Sequence, residues 1–508
     1  MTPCLLGIDL GTSGTKTILF DPEGRALASA SAEYPLYQPQ NGWAEQDPED
    51  WWHAARDTIR AVVTRSGVDP SCIRGIGISG QMHGLVLTDA DGAPLRRAIL
   101  WCDGRTQQEC DEITETVGRE RLIALTANPA LTGFTAGKLL WVRRHEPGLF
   151  ARAAHLLLPK DYLRLKLTGE YRCDMTDGSG TNLMDVKNRC WSREICDRLE
   201  IPSSLLPPLL ESCEAAGTVT PRAAAETGLA AGTVVAAGAG DNMAAAIGTG
   251  VVAPGAAFIT LGTSGVIFSH AAKPQIDPAG RVHTFCAAVP GACAVMSCTL
   301  AAGLSLRWFR DCFCQQECEE ARLSGTDPYA VMDQEAADIP IGAERLVFLP
   351  YLMGERSPLM DSRARGAFIG LSAVHDRRHM LRAVMEGVLY SQRQNLDILR
   401  AMKTVPAVLT ACGGGAKSPL WRQMTADVLG LPVQTLENAE GPALGAAILA
   451  GVAAGIYADV SDGCARTVRS AAVLHPDAAR TAAYEKVYGV YRSLYPALRD
   501  SFHALSRL

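Results

Sequence analysis

Leu10-Gly11-Thr12-Ser13-Gly14 returns as Leu261-Gly262-Thr263-Ser264-Gly265, an offset of 251 positions in a chain of 508. A repeat spaced at half the chain points to two similarly built halves. Leu5-Leu-Gly-Ile-Asp-Leu10 and Thr17-Ile-Leu-Phe20 flank the first copy, Ala257-Phe-Ile-Thr-Leu261 and Val266-Ile-Phe268 the second. Each copy therefore reads as a β-hairpin with a Gly, Thr and Ser turn. Glycines let successive backbone N–H groups converge into a concave nest, and the Thr and Ser hydroxyls add donors, which suits a phosphate. Two such loops, one from each half, are placed to hold a polyphosphate between two domains, here 1–250 and 251–508.

The surrounding pattern is α/β. Strand-like Ile73–Ile78 follows a helix over Trp51–Arg65, for which Asp47 supplies a cap, Pro48 the first helical position and Glu49 and Asp50 the acids that favour its positive end. Further strands are predicted at Thr233–Ala237, Arg345–Leu349 and Val408–Ala411, and helices at Met380–Leu399 and Leu420–Leu429.

Composition excludes several classes. With 48 basic and 54 acidic residues the net charge is -6, which marks neither a nucleic-acid binder nor an anionic-membrane binder. Hydrophobic residues make up 47% and charged residues 20%, as in ordinary soluble proteins. Asp9 interrupts the only early candidate for a signal sequence, and Gly441–Ala458 falls short of a spanning helix, so no secretion and no membrane segment are expected. The 16 scattered cysteines then read as reduced thiols in a cytoplasm. Cys312, Cys314 and Cys318 form a cluster without a fourth ligand at metal spacing, and read as ordinary thiols on an amphipathic helix.

Four places carry candidate chemistry. Val234-Val-Ala-Ala-Gly-Ala-Gly-Asp241-Asn242 reads as a strand, a Gly turn and a helix opening at an acid. Asp241 there either orients a hydroxyl nucleophile and takes its proton, as in phosphoryl transfer, or only caps the helix. Asp9, beside the first nest, is where Mg²⁺ would sit; the alternative is an edge-strand acid facing solvent. Cys412-Gly-Gly-Gly-Ala-Lys-Ser-Pro419 is a Gly-rich strand-to-helix turn of the kind that approaches a nucleotide, without P-loop or GxGxxG spacing. Ser79-Gly-Gln-Met-His-Gly84 and Trp101-Cys-Asp-Gly-Arg105 gather polar groups suited to a small hydroxylated ligand. Gly441-Pro-Ala-Leu-Gly-Ala-Ala447 reads as close helix packing rather than a binding surface.

Taken in order, these segments resemble the FGGY family of carbohydrate kinases, in the actin-like ATPase superfamily. The resemblance also rests on Trp43-Ala-Glu-Gln-Asp-Pro48, Phe134-Thr-Ala-Gly-Lys-Leu-Leu-Trp-Val142, Leu158-Pro-Lys-Asp-Tyr-Leu163, Phe348-Leu-Pro-Tyr-Leu-Met-Gly-Glu-Arg-Ser-Pro358 and Gly366-Ala-Phe-Ile-Gly-Leu371. It implies two actin-like (ribonuclease H-like) α/β domains with an ATP and sugar cleft between them, and ATP and Mg²⁺ as cofactors. Asp241 is implied as the catalytic base, with Met82, His83, Asp241 and Asn242 on the sugar and Asp9 linked to the metal. Gly11, Thr12, Ser13, Lys16 and Thr263 are implied toward the phosphates, and Gly414, Gly415 and Ser418 toward the nucleotide. Glycerol-phosphorylating members carry Arg-Glu at Met82-His83 and Tyr at Gly133, which exchanges a charged clamp for a roomier pocket and favours a pentulose. Departures at Gly137, usually Pro, and Cys102, usually Asn, bear on sugar preference. The expected activity is phosphorylation of D-xylulose to D-xylulose 5-phosphate in pentose catabolism. The alternatives are another ketopentose or pentitol (ribulose, arabinitol) or a non-catalytic sugar-sensing relative. A homodimer is compatible with the resemblance.

Overall fold

A computed structural model of the chain describes residues 2–437 and 440–507. The predicted first helix forms as Pro48–Ser66, where Asp47 accepts from Glu49 N at 3.0 Å and Gly67, at φ 63°, ends it. Strands dense in Ile, Leu and Val build two sheets. In the first the order is Ala215–Thr218, Val234–Ala236, Ile73–Gly80, Cys4–Leu10, Gly14–Phe20, Ala26–Glu33. The second runs His283–Cys286, Cys293–Thr299, Gly265–Ala271, Ala256–Leu261, Val408–Cys412, Val433–Leu436, Ser470–Leu474. Each sheet has an antiparallel hairpin whose first strand pairs in parallel with a strand that arrives after a long crossover. The repeat in the sequence is thus a repeat in topology, with one extra antiparallel strand, His283–Cys286, in the second sheet.

The two identical pentapeptides close differently. Leu10 pairs with Thr15, whereas Leu261 pairs with Gly265, so the second turn is one residue tighter. The second turn is also held from outside. The carbonyls of Gly262 and Thr263 accept from the N–H groups of Gly303, Ala302 and Leu304, where the helix Gly303–Phe313 begins.

The helix Gly441–Ala453 lies flat on the first sheet and against the helix Asp241–Gly248. A Cβ on Gly77 would stand 1.8 Å from the Ala446 carbonyl oxygen, and one on Gly445 would stand 1.8 Å from that of Ala244. The Gly- and Ala-rich run is therefore a packing surface, as its composition predicts, and it joins the Asp241 helix to the sheet that carries Asp9.

Other elements differ from expectation in instructive ways. The strand expected over Thr233–Ala237 is Val234–Ala236; Gly238, at φ 77°, breaks it before Ala239–Gly240 re-pairs with Ser79–Gly80. The strand expected from Arg345 begins at Val347, because Glu344 and Arg345 take left-handed backbone. The helices expected near residues 380 and 420 form as Arg377–Ala401 and Pro419–Leu429. All sixteen cysteines are free. Cys314 sits at the break between the helices Gly303–Phe313 and Gln315–Ser324 and accepts a hydrogen bond from Arg377, and no candidate metal group among the described residues includes Cys312, Cys314 or Cys318. Among the described residues no helix is long and apolar enough to cross a membrane.

Candidate functional site

Asp9 lies on a central strand, between Gly14–Phe20 and Ile73–Gly80, which removes the edge-strand reading. Its Oδ1 accepts from Ser79 Oγ at 2.9 Å. Burial pushes its carboxyl up to about 6 against the pull of that hydrogen bond, with Glu440 raising it further and Lys16 lowering it. Lys16 Nζ meets both carboxylate oxygens of Glu440 at 2.6 Å, an ion pair that ties the first hairpin to the start of the Gly441–Ala453 helix. Thr12 Oγ1 accepts from Trp101 Nε1 at 2.9 Å and lies 3.4 Å from Gln81 Oε1. Gly11 N donates to Gly14 O at 3.0 Å, and Gly11 O accepts from Tyr34. Ser13 is exposed at the tip.

The loop Gln81–Gly84 follows the strand that flanks Asp9. His83 takes left-handed backbone, φ 68°, and its carbonyl is held there by Lys138 Nζ at 2.8 Å and Thr135 Oγ1 at 3.1 Å. Its Nδ1 stands 2.8 Å from the Gly180 carbonyl oxygen, an obligate acceptor, so Nδ1 carries the proton. Burial and the Lys138 ammonium hold the ring far below the ordinary imidazole value. The ring is neutral, and Nε2 is left as an acceptor. Met82 packs against the backbone of Gly240, where a Cβ would meet its Sδ at 2.9 Å.

Sequence reading missed the wall facing His83. Phe134 lies 4.6 Å from the His83 ring, and Phe285, from the second sheet, 5.8 Å. His283, also from the second sheet, is buried, with Nδ1 3.1 Å from Asn128 Oδ1 and Nε2 unpartnered. Arg356 reaches the same region: its Nη2 lies 3.9 Å from where a Cβ on Gly133 would stand. Phe134 and Arg356 stand in family-like motifs, but nothing local in sequence links His283, Phe285 or Arg356 to a loop 200 or more residues upstream.

Asp241 is the first residue of the helix Asp241–Gly248, whose N-cap is Gly240. Its Oδ1 accepts from Asn242 N at 2.7 Å and Asn242 Nδ2 at 2.9 Å. Oδ2 has no protein partner among the described residues. Burial, and then the Asp9 carboxylate, push Asp241 up to about 7. An acid raised toward neutrality by burial and by a neighbouring carboxylate, at the first helical position rather than the N-cap, is able to take up a proton near neutral pH.

In the second half, Thr263, Gly414, Gly415 and Ser418 line one cavity of about 440 Å³ together with Gly262, Gly303, Leu304, Arg307, Asp327, Tyr329, Asp333 and Lys417. Its walls combine apolar surface for a planar base with a hairpin turn and cations for phosphates. The Ser418 hydroxyl accepts from Trp421 N at 2.9 Å and bonds Asp333, so it caps the helix Pro419–Leu429 and offers the cavity little beyond its backbone. Arg307, Tyr329 and Asp333 carry no sequence signal for this cavity; they reach it only by folding.

The chain is similar to known proteins along nearly its whole length. The N-terminal domain of the FGGY family of carbohydrate kinases matches residues 4–248, and its C-terminal domain matches residues 257–454. A xylulose kinase of Bacillus subtilis is 41% identical over 502 residues, 99% of this chain and 98% of that one. A xylulose kinase of Escherichia coli is 40% identical over 494 residues, 97% and 99% of the two chains. The crystal structure of a xyloylose kinase from Brucella ovis superposes with a TM-score of 0.89 at 40% identity, covering 99% of this chain and 100% of that one.

Proposed function

This chain belongs to the FGGY family of carbohydrate kinases, and from that premise we propose that it transfers the γ-phosphoryl group of ATP to D-xylulose, giving D-xylulose 5-phosphate and ADP. It is a sugar kinase that uses ATP. The observation that carries the reaction is Asp241: an acid held by Asn242 through one oxygen, open at the other, and raised by burial to about 7. Near neutral pH such a carboxylate accepts the proton of a sugar hydroxyl as that oxygen attacks phosphorus. The neutral His83 ring offers Nε2 to a sugar hydroxyl, while Phe134 and Phe285 cover the apolar face of the sugar. ATP occupies the cavity of the second half, its phosphates directed toward the two Gly-Thr-Ser turns, whose N–H groups favour the charge of the transferring group.

Mg²⁺ fits the donors at hand. Asp9 has one oxygen engaged by Ser79, and burial with Glu440 nearby outweighs Lys16 and holds its carboxyl above the usual range, which a bound cation would offset. Hard carboxylate oxygens near a phosphate site suit a cation that keeps several waters. When bound through Asp9, Mg²⁺ supplies charge neutralisation at the phosphate oxygens. A cytoplasmic setting is supported by the sixteen free thiols.

Initial rates of ADP formation over a panel of D-xylulose, D-ribulose, D-arabinitol and glycerol test the reading. D-Xylulose is expected to give the highest kcat/KM. His83→Ala is expected to raise KM for the sugar roughly fivefold or more, the loss of one buried hydrogen bond, while KM for ATP stays near wild type. No sugar-dependent ADP with any member would sink the reading. A clear preference for another member would reassign the substrate.

A further inference from the structure

Beneath the proposed base lies a fully buried charge cluster. Lys160 Nζ stands 2.8 Å from Asp161, 2.6 Å from Asp174 and 2.9 Å from Asp177, and Arg164 lies 3.0 Å from Asp161. The three carboxylates are near enough to one another to hold a metal ion. The Lys160 ammonium, however, already contacts all three. Burial, with Asp174 and Asp161 adding to it against the pull of Lys160, pushes Asp177 up to about 8. A raised Asp177 moves the cluster toward two carboxylates against two cations, and its side chains are closed to solvent.

A hydrogen-bond path leads from the cluster to the residue before Asp241. Asp174, whose Oδ1 is held by Lys160, accepts at Oδ2 from Ser212 Oγ at 3.0 Å and from Thr176 Oγ1 at 2.5 Å. Having donated its proton to Asp174, the Thr176 hydroxyl has only lone pairs left, and it accepts from Gly240 N at 2.9 Å. Gly240 immediately precedes Asp241. It also pairs with Gly80, and a Cβ on Gly80 would stand 2.6 Å from Lys160 Cβ. The same buried lysine therefore lies under the residue that precedes the base and under the start of the loop that carries Met82 and His83.

We propose that Thr176 is a positioning residue for phosphoryl transfer: its hydroxyl, oriented by Asp174 and Lys160, fixes the Gly240 N–H and through it the Asp241 carboxylate against the acceptor hydroxyl. The proposal rests on Asp241 being the base of the reaction proposed above. Thr176 touches no substrate. Between the Gly238 break and the helix, the sheet holds this segment through just the two-residue strand Ala239–Gly240, and the hydroxyl adds to that hold.

The test compares Thr176→Val, Thr176→Ser and Asp241→Asn by steady-state ADP formation with D-xylulose and by thermal melting. Val keeps the shape and loses the hydroxyl, and small misplacements of a reacting group cost roughly 10- to 100-fold. A kcat lowered by about that factor, with both KM values near wild type and recovery in Thr176→Ser, supports the proposal. If Thr176→Val does not fold, Thr176→Ala removes the same hydroxyl and takes its place. Wild-type kcat in the hydroxyl-less variant, while Asp241→Asn is inactive, overturns the positioning role alone. Equal losses of kcat and melting temperature in Thr176→Val and Thr176→Ser also overturn it, since they mark a merely structural role. Retained activity in Asp241→Asn overturns the base itself, and the positioning role with it.

Discussion

Asp241→Asn is expected to lower kcat by about 10²-fold or more while making the protein more resistant to heat above pH 7. The amide fills the same space and keeps a hydrogen-bond acceptor for Asn242, but it cannot take up a proton. The gain in stability follows from the raised pKa. Asp241 sits at about 7 in the folded chain, against about 3.9 for an unperturbed Asp. Between those values the folded state binds the proton more tightly than the unfolded state, so the folded state loses stability as pH rises through that window. Above pH 7 the whole cost is present. An amide carries none of it and relieves Asp9 of a neighbouring negative charge. Thermal melts of the two proteins at about pH 8 and about pH 5 check this: the variant is expected to melt higher at the upper pH, with a smaller gap at the lower. A variant that melts lower at both would mean that Asp241 stabilises the fold as an ordinary cap does.

Gly77→Ala is expected to cost more than about 3 kcal/mol, enough to leave little soluble protein, although it adds one methyl group to a strand. The new Cβ would stand 1.8 Å from the Ala446 carbonyl oxygen, and a Cβ on the neighbouring Gly7 would likewise stand 2.0 Å from that of Ala443. Neither acceptor is the end of a flexible side chain. The helix Gly441–Ala453 would have to lift, and it is pressed on its other side against the helix of Asp241 through Gly445 and Gly248. Gly148→Ala, in the short helix Pro147–Phe150 with open space around it, is the matching control and is expected to melt like the wild type. Equal melting temperatures for Gly77→Ala and the wild type would show that the helix does not rest on the sheet as described.

These two sites illustrate what a sequence can and cannot disclose. The Gly-Thr-Ser repeat is legible because a turn is local: its neighbours along the chain are its neighbours in space, and both copies lie at equivalent points of two like sheets. The strand, Gly turn and acid ending at Asp241 is legible for the same reason. The contact of Gly77 with Ala446 is not, since both read as small residues in apolar runs until a helix some 370 positions away lies across the strand. Lys160, Asp174 and Asp177 are hidden differently. Charged residues are normally assigned to the surface, and only the closure of the fold around them reveals three carboxylates on one ammonium. His283, Phe285 and Arg356 reach the wall facing His83 from the second half, across a chain separation over which no periodicity carries information.

Dependence of kcat/KM for D-xylulose on pH, at saturating ATP and Mg²⁺, tests the role of Asp241 most directly, because it reports the ionisation of the free enzyme's base. The expected profile is level above neutrality and falls about tenfold per unit of pH on the acid side, with its midpoint near the value of about 7 that burial and Asp9 impose on Asp241. A profile that stays level down to about pH 5, or the same acid limb in the residual activity of Asp241→Asn, would contradict it.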